Sequence, residues 1–203
     1  CGVALLFFFF FLTVKFWKWD FDDGFIVYRY VENLIHGSGW VYNVGEAYNA
    51  STSALNTIVI ALVSLVGVSP AAAAHSIGAV SLFIMGMSLY FIFRKDAPAF
   101  FSIGVAAFVV FMMANNFTWG LESNLFYGLL SFYILLEAYG TTSWVLLGLL
   151  VLTRPDALLL VALRAILELR AGRMPIASMA KVVATIAPWA IFSLITFGNV
   201  FPA

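Results

Sequence analysis

Charge is scarce in this chain. Only 10% of its 203 residues are Asp, Glu, Lys or Arg and 64% are hydrophobic, whereas soluble domains carry roughly 25% charged residues. With a mean hydropathy of +1.03, the scarcity excludes an ordinary soluble domain and indicates an all-α integral membrane protein. Net charge is zero, so there is no basic excess to hold nucleic acid. One cysteine, Cys1, excludes an internal disulfide, and His36 and His75 have no partners at zinc-ligand spacing. A processed lipoprotein begins on Cys, but a start without Met points first to a fragment or a trimmed N-terminus. Internal repeats are absent and low complexity is confined to residues 71–74, so residues 1–203 are expected to form one membrane module.

What is present is a sequence of apolar runs with charges between them. Residues 2–19 make an expected first span. The run 3–14 has no small-residue cleavage pattern after it, and Lys15, Trp17, Lys18 and Trp19 read as an interfacial anchor. The acidic cluster Asp20, Asp22 and Asp23 follows directly, three of the ten acidic residues of the chain. From 25 to 35, apolar residues alternate with Tyr28, Arg29, Glu32 and Asn33 at helical spacing, the pattern of an amphipathic helix on the membrane surface. Gly37-Ser38-Gly39 ends it, and 40–53 is a polar, aromatic stretch inside an external loop expected at 20–70.

Further spans are expected at 71–93, 97–114, 125–139 and 174–197, the last kinked at Pro188. Two short half-spans, 141–152 and 157–169, flank Thr153-Arg154-Pro155-Asp156, where Pro155 breaks the helix ladder. Residues 54–68 are marginal in length. If they crossed, Arg94 and Lys95 would fall outside; if they lie in the interface, those residues and the Arg164–Arg173 cluster share the inner side, as the excess of cations on cytoplasmic loops favours. That count gives about seven crossings, with the acidic cluster, Glu122 and Arg154 all on the outer face. The sequons Asn49-Ala50-Ser51 and Asn116-Phe117-Thr118 also fall outside.

Carboxylates at the lip of a span either keep the chain end hydrated, cap the next helix, or mark a site. As a site, Asp22 and Asp23 offer a general base, or a ligand to a divalent cation (Mg, Mn or Ca), for which Asp23 is the candidate. Arg154, a guanidinium in an apolar run, is either paired with Asp156 or Glu122 or free to bind a phosphate. Glu122 and Glu46 are candidate cavity residues, with a solvated loop as the plainer reading of Glu122. Tyr28 and Arg29 are candidate substrate contacts, and Arg29 with Glu32 also fits the wet face of the surface helix.

The stretch Asp22-Asp23-Gly24-Phe25-Ile26-Val27-Tyr28-Arg29-Tyr30-Val31-Glu32-Asn33-Leu34, followed by Gly37-x-Gly39-x-x-Tyr42-Asn43-x-Gly45-Glu46, resembles the opening of GT-C-fold glycosyltransferases. The nearest pattern is that of the mycobacterial terminal arabinofuranosyltransferases, with protein mannosyltransferases more distant. Gly120-Leu121-Glu122-Ser123, Leu152-Thr153-Arg154-Pro155-Asp156 and Phe197-Gly198-x-x-x-Pro202 match later motifs in the family's order. Residues 47–55 depart from the family's V-E-G-Y-T-S-P-L, with Ala54 at the proline. The resemblance implies a GT-C-like helical bundle in a bacterial plasma membrane, with its active site on the extracytoplasmic face. It implies transfer of an arabinofuranose or hexose sugar from a polyprenyl-phosphate donor to a glycan or glycolipid acceptor of the cell envelope. Asp22 or Asp23 would be the base and Arg154 the phosphate ligand, and this chain would be the N-terminal module of a longer protein. A transporter, or a structural subunit of a membrane complex, is the rival reading, since broken helices and intramembrane charges also mark transport sites.

Overall fold

The computed structural model describes residue 11, residues 14–15, residues 21–115 and residues 120–200. Most of the expected first span, Asp20, the second sequon and Pro202 lie outside the described residues. Within them the chain is helical, with no strand.

Helix α1 (Gly24–Ile35) buries Val27, Tyr28, Tyr30 and Val31 while Phe25, Arg29 and Glu32 stay exposed, the two-faced pattern expected of this segment. It stops where Gly37 turns to φ 81° and Ser38 N–H donates to the Asn33 carbonyl at 2.8 Å. A loop leads to α2 (Ala54–Ser64), capped by Ser53, whose hydroxyl accepts from Asn56 N–H at 3.3 Å. Its 11 residues extend about 16 Å, roughly half of a bilayer's hydrocarbon thickness. Helix α3 (Pro70–Arg94) starts on a proline at its first position, behind a Ser69 cap. Then come α4 (Ala99–Ala114), α5 (Ser123–Ala138) and α6 (Trp144–Thr153). At the expected break Arg154 is extended (φ −147°, ψ 121°) and Pro155–Ala157 form one 3₁₀ turn before α7 (Leu158–Arg170). Helix α8 (Ile176–Phe197) runs through Pro188 as one element.

Among the described residues, α3 and α8 are long and apolar enough to cross a membrane. Helices α4 and α5, expected as spans, have 16 residues each, about 24 Å. The apolar window of α8 is 11% buried and that of α3 33%, less than in the mostly buried core helix of a soluble protein. Leu159, Ile176, Val183 and Ile195 lie on open surface, as expected of side chains that meet lipid.

The long-range contacts order the helices end to end. Lys95 Nζ donates to the Ala138 carbonyl and lies 4.9 Å from the centre of the Tyr139 ring, so α3 and α5 finish together. Arg154 stands 5.7 Å from the Phe126 ring, which brings the end of α6 back to the start of α5. Arg164 reaches Glu137 and Thr142, so α7 returns toward the other end, and the ring of Trp189 of α8 lies tilted against that of Trp40, their centres 4.6 Å apart. One end therefore gathers Asp22, Asp23, Glu32, Glu46, Glu122 and Asp156 against Lys15, Arg29 and Arg154. The opposite end gathers Arg94, Lys95, Arg164, Arg170, Arg173 and Lys181 against Asp96, Glu137 and Glu168.

Three apolar clusters join the helices: Leu82, Met85, Val110 and Ala114 between α3 and α4; Tyr133, Trp144, Leu147, Leu150, Val161 and Val182 across α5 to α8; Val27, Val31, Ile60 and Ala74 under α1 and α2. Helices α3 and α5 approach so closely at Gly128 that a Cβ there would stand 2.8 Å from the Ser81 carbonyl oxygen.

Candidate functional site

The acidic turn sits at the start of α1. Phe21, Asp22 and Asp23 carbonyls accept from the N–H groups of Gly24, Phe25 and Ile26 at 2.9, 3.1 and 3.2 Å, so the backbone closes the turn without help from a side chain. Asp23 occupies the cap position and makes no side-chain cap bond. Both carboxylates are exposed and form no ion pair among the described residues. The capping role considered for the pair is therefore absent, and two charged acceptors are left facing outward.

Gly24 fixes what they face. A Cβ placed on it would lie 3.7 Å from Gly120 Cα and 3.6 Å from the Tyr28 ring. The first turn of α1 thus packs directly on the Gly120-Leu121-Glu122 loop. Glu122 is half-buried at the head of α5, and its carboxylate caps nothing and has no ion-pair partner among the described residues. One helical turn further, Phe126 carries Arg154 over its ring at 5.7 Å. Asp22, Asp23, Glu122 and Arg154, distant in sequence, are thus linked through two contacts.

Arg154 is also paired with Asp156: Nε donates to Oδ1 at 3.3 Å and the terminal nitrogen to Oδ2 at 3.4 Å. The side chains of this pair are 39% and 60% exposed, so solvent screens it and Arg154 stays available to another anion. Of the two structural partners considered from sequence, Asp156 is the one found.

Tyr28 and Arg29 lie on α1 and Glu46 in the loop that follows it. A cavity of ≈ 370 Å³ lies between Phe25, Tyr28, Arg29, Glu32 and the Ser69–Ala71 start of α3. Arg29 Nε donates to the Tyr42 carbonyl at 3.3 Å and its guanidinium lies 3.7 Å from Glu32, which ties it to the loop. Glu46 accepts from Asn43 Nδ2 at 3.0 Å and lines a second cavity of ≈ 240 Å³ with Ile26, Tyr42 and Tyr48. Neither cavity is lined by Asp22, Asp23, Glu122 or Arg154. Among the described residues no three His, Cys, Asp or Glu side chains converge, so Asp23 has no companion set there for a cation.

Two features escape a reading of sequence. Asn49 is 2% exposed, and its Oδ1 accepts from Trp40 Nε1 at 3.2 Å and from Ser51 N–H at 3.3 Å. A sequon folded in this way is closed to glycan attachment. At the opposite end Arg164, 16% exposed, lies between Glu137 (3.2 Å) and Glu168 (3.7 Å) and donates to Thr142 Oγ1 at 2.6 Å. Its Nε is close enough to Glu137 for an ion pair yet not aligned for a hydrogen bond. Only the Arg164–Glu168 spacing was available to signal this group.

Taken together, the described residues are helical without strands, with two helices fit to cross a membrane and an exposed acidic turn next to a Gly-Leu-Glu loop. No protein-family model matches the chain and no solved structure matches it. Over 49 residues, 24% of this chain, the sequence is 53% identical to the terminal β-(1→2)-arabinofuranosyltransferase of Corynebacterium glutamicum. The match spans 7% of that relative's length, so this chain corresponds to a small part of it. The similarity indicates a relationship to a glycosyltransferase.

Proposed function

We propose that the chain is part of a GT-C-type glycosyltransferase that moves an arabinofuranose or hexose sugar from a polyprenyl-phosphate donor to a glycan or glycolipid acceptor. In this reading it lies in a bacterial plasma membrane with the acidic end on the extracytoplasmic face. The observation that carries the reading is the packing of Gly24 on Gly120, beside which Asp22, Asp23 and Glu122 have no ion-pair partner among the described residues. The local 53% identity to an arabinofuranosyltransferase supports the same class.

The chemistry follows from these groups. Asp22 or Asp23 takes the proton of an acceptor hydroxyl as its oxygen bonds to the anomeric carbon. The bond from that carbon to the phosphate oxygen breaks, and the polyprenyl phosphate leaves with the electron pair. Arg154, weakly engaged with Asp156, meets the charge that builds on the phosphate. Attack opposite the leaving group inverts the anomeric centre. Glu122, Glu46, Tyr28 and Arg29 orient the sugars. A divalent cation on Asp23 would draw no further His, Cys, Asp or Glu ligands from the described residues. A transporter would gather its charges near the middle of facing helices; here the described charges collect toward the two ends.

The test uses the full-length protein in native membranes, with transfer measured from a polyprenyl-phosphate sugar. Asn at position 22, at position 23 and at both is compared with wild type. Loss of a general base lowers turnover by roughly 10²–10⁴-fold, and one of the single variants is expected to fall in that range. Full turnover in the double variant would sink the assignment.

A further inference from the structure

Among the described residues, six cations stand at the end opposite the acidic turn, and they are of two kinds. Arg94 donates to the Ala97 carbonyl at 3.1 Å, Lys95 donates to the Ala138 carbonyl, and Arg164 is held by Glu137, Glu168 and Thr142. Arg170, Arg173 and Lys181 are exposed, and their side chains have no hydrogen-bond or ion-pair partner among the described residues. All three bracket the turn from α7 to α8. Arg170 ends α7, Arg173 follows the left-handed Gly172 (φ 73°), and Lys181 lies in the second turn of α8. The nearest carboxylate in sequence, Glu168, is only 13% exposed and already pairs with Arg164. Residues 169–203 contain no Asp or Glu.

Apolar side chains are interleaved with these cations. Leu169, Met174 and Ile176 are 51%, 72% and 71% exposed, and Val183, just beyond Lys181, is 61% exposed. Helix α8 is long and apolar enough to cross a membrane, so its first turns stand where hydrocarbon gives way to head groups. Side chains on a helix lean toward its N-terminus. The stem of Lys181 can therefore lie along lipid while its ammonium is carried back toward the turn.

We propose that the α7–α8 turn is a contact surface for anionic phospholipid. Arg170, Arg173 and Lys181 meet head-group phosphates, and Leu169, Met174 and Ile176 enter the first carbons of the acyl chains. Charge complementarity selects this partner, because three unpaired cations with no carboxylate of their own match a surface of phosphates. The apolar side chains set it apart from an acidic protein, which would offer Met174 and Ile176 no hydrocarbon. The surface lies away from Asp22 and Asp23 and stands apart from their catalytic reading.

Purified full-length protein in detergent is titrated with radiolabelled dioctanoyl phosphatidylglycerol and, separately, with radiolabelled dioctanoyl phosphatidylcholine. Each basic residue near an anionic surface strengthens attachment roughly fivefold. Arg170→Gln, Arg173→Gln and Lys181→Gln are each expected to weaken phosphatidylglycerol binding by about that factor, and the triple Gln variant by roughly tenfold or more. Phosphatidylcholine binding should not change. A second triple variant, Arg170→Lys with Arg173→Lys and Lys181→Arg, keeps the charge, controls for folding and is expected to bind like wild type. Added salt should weaken binding to wild type far more than binding to the triple Gln variant. Undiminished phosphatidylglycerol binding in the triple Gln variant, equal binding of the two lipids by wild type, or an equal loss in the charge-keeping variant overturns the proposal. Binding of a labelled octaglutamate peptide without phosphatidylglycerol also overturns it and assigns the surface to an acidic protein. Asp22→Asn and Asp23→Asn are expected to bind both lipids as wild type does.

Discussion

Tyr30 shows how one hydroxyl holds the loop that follows α1. It donates to the Tyr48 carbonyl at 2.6 Å and accepts from Ala50 N–H at 2.8 Å, and its ring is fully buried. Removing the hydroxyl leaves two backbone groups unmet, each costing about 1–3 kcal/mol when buried. Tyr30→Phe should lower stability by about 2 kcal/mol, read from unfolding in detergent, with earlier proteolysis within residues 41–53. Burial raises the pKa of this hydroxyl above 10.0. Its folded-state value exceeds the unfolded one, so its contribution is complete below the unfolded value and is lost as pH rises through the folded one. Wild type should therefore lose more stability above about pH 10 than Tyr30→Phe does. Arg154 is the contrasting case: its pair with Asp156 is exposed and worth about 0–1 kcal/mol. Arg154→Gln should leave stability within that range while sharply reducing sugar transfer, and a variant with normal transfer would remove Arg154 from the donor site.

The helices divide into those that touch at glycine and those that do not. A Cβ at Gly128 would meet Ser81 atoms at 2.8–3.0 Å, backbone included, so α3 and α5 would have to separate. At Gly104 a Cβ meets nothing within 4 Å. Gly128→Ala is expected to destabilise by about 1–3 kcal/mol, as overpacking does, whereas Gly104→Ala should stabilise by up to about 1 kcal/mol through helix propensity. Unfolding of the two variants side by side tests this difference. Helix α7 is attached through Val161 in the apolar cluster and through Arg164, which pairs with Glu137 of α5 and with Glu168 of its own helix. Arg164→Leu leaves two carboxylates without their cation and should cost about 2 kcal/mol or more, the lower part of the range for a buried pair because Glu137 is partly exposed. Adding Glu137→Leu should recover part of that loss. The elements themselves were legible in the sequence: the two-faced period of 25–35, the stop at Gly37 and the break at Pro155 all rest on local rules. The Arg164 group was not, because Glu137 lies on another helix and only packing brings it there. The span expected at 97–114 is the helix Ala99–Ala114, shortened at its start behind Pro98, and the span expected at 125–139 is the helix Ser123–Ala138.

For the whole molecule, what the sequence carried was the candidate residues, and what it lacked was the packing around them. Asp22, Asp23, Glu122 and Arg154 stand out as charges in an apolar chain, but the contacts next to them are made by Gly24, Gly120 and Phe126, which carry no charge signal of their own. The cavities at Arg29 and Glu46 are likewise products of the loop fold. The end-to-end order of the helices also turns the charge pattern into a statement about sidedness. The acidic end holds six carboxylates against three cations among the described residues, and the opposite end the reverse. Cations near span ends favour the cytoplasmic side, so the end with Lys95 should face inward and the end with Glu122 outward. Cysteines placed one at a time at Lys95 and Glu122, with Cys1 replaced, can be probed in intact cells with a reagent that does not cross the membrane. Labelling is expected at position 122 without permeabilisation and at position 95 only after it. The opposite pattern would put the acidic turn in the cytoplasm, where an extracytoplasmic acceptor could not reach it, and the proposed transfer reaction would fall with it.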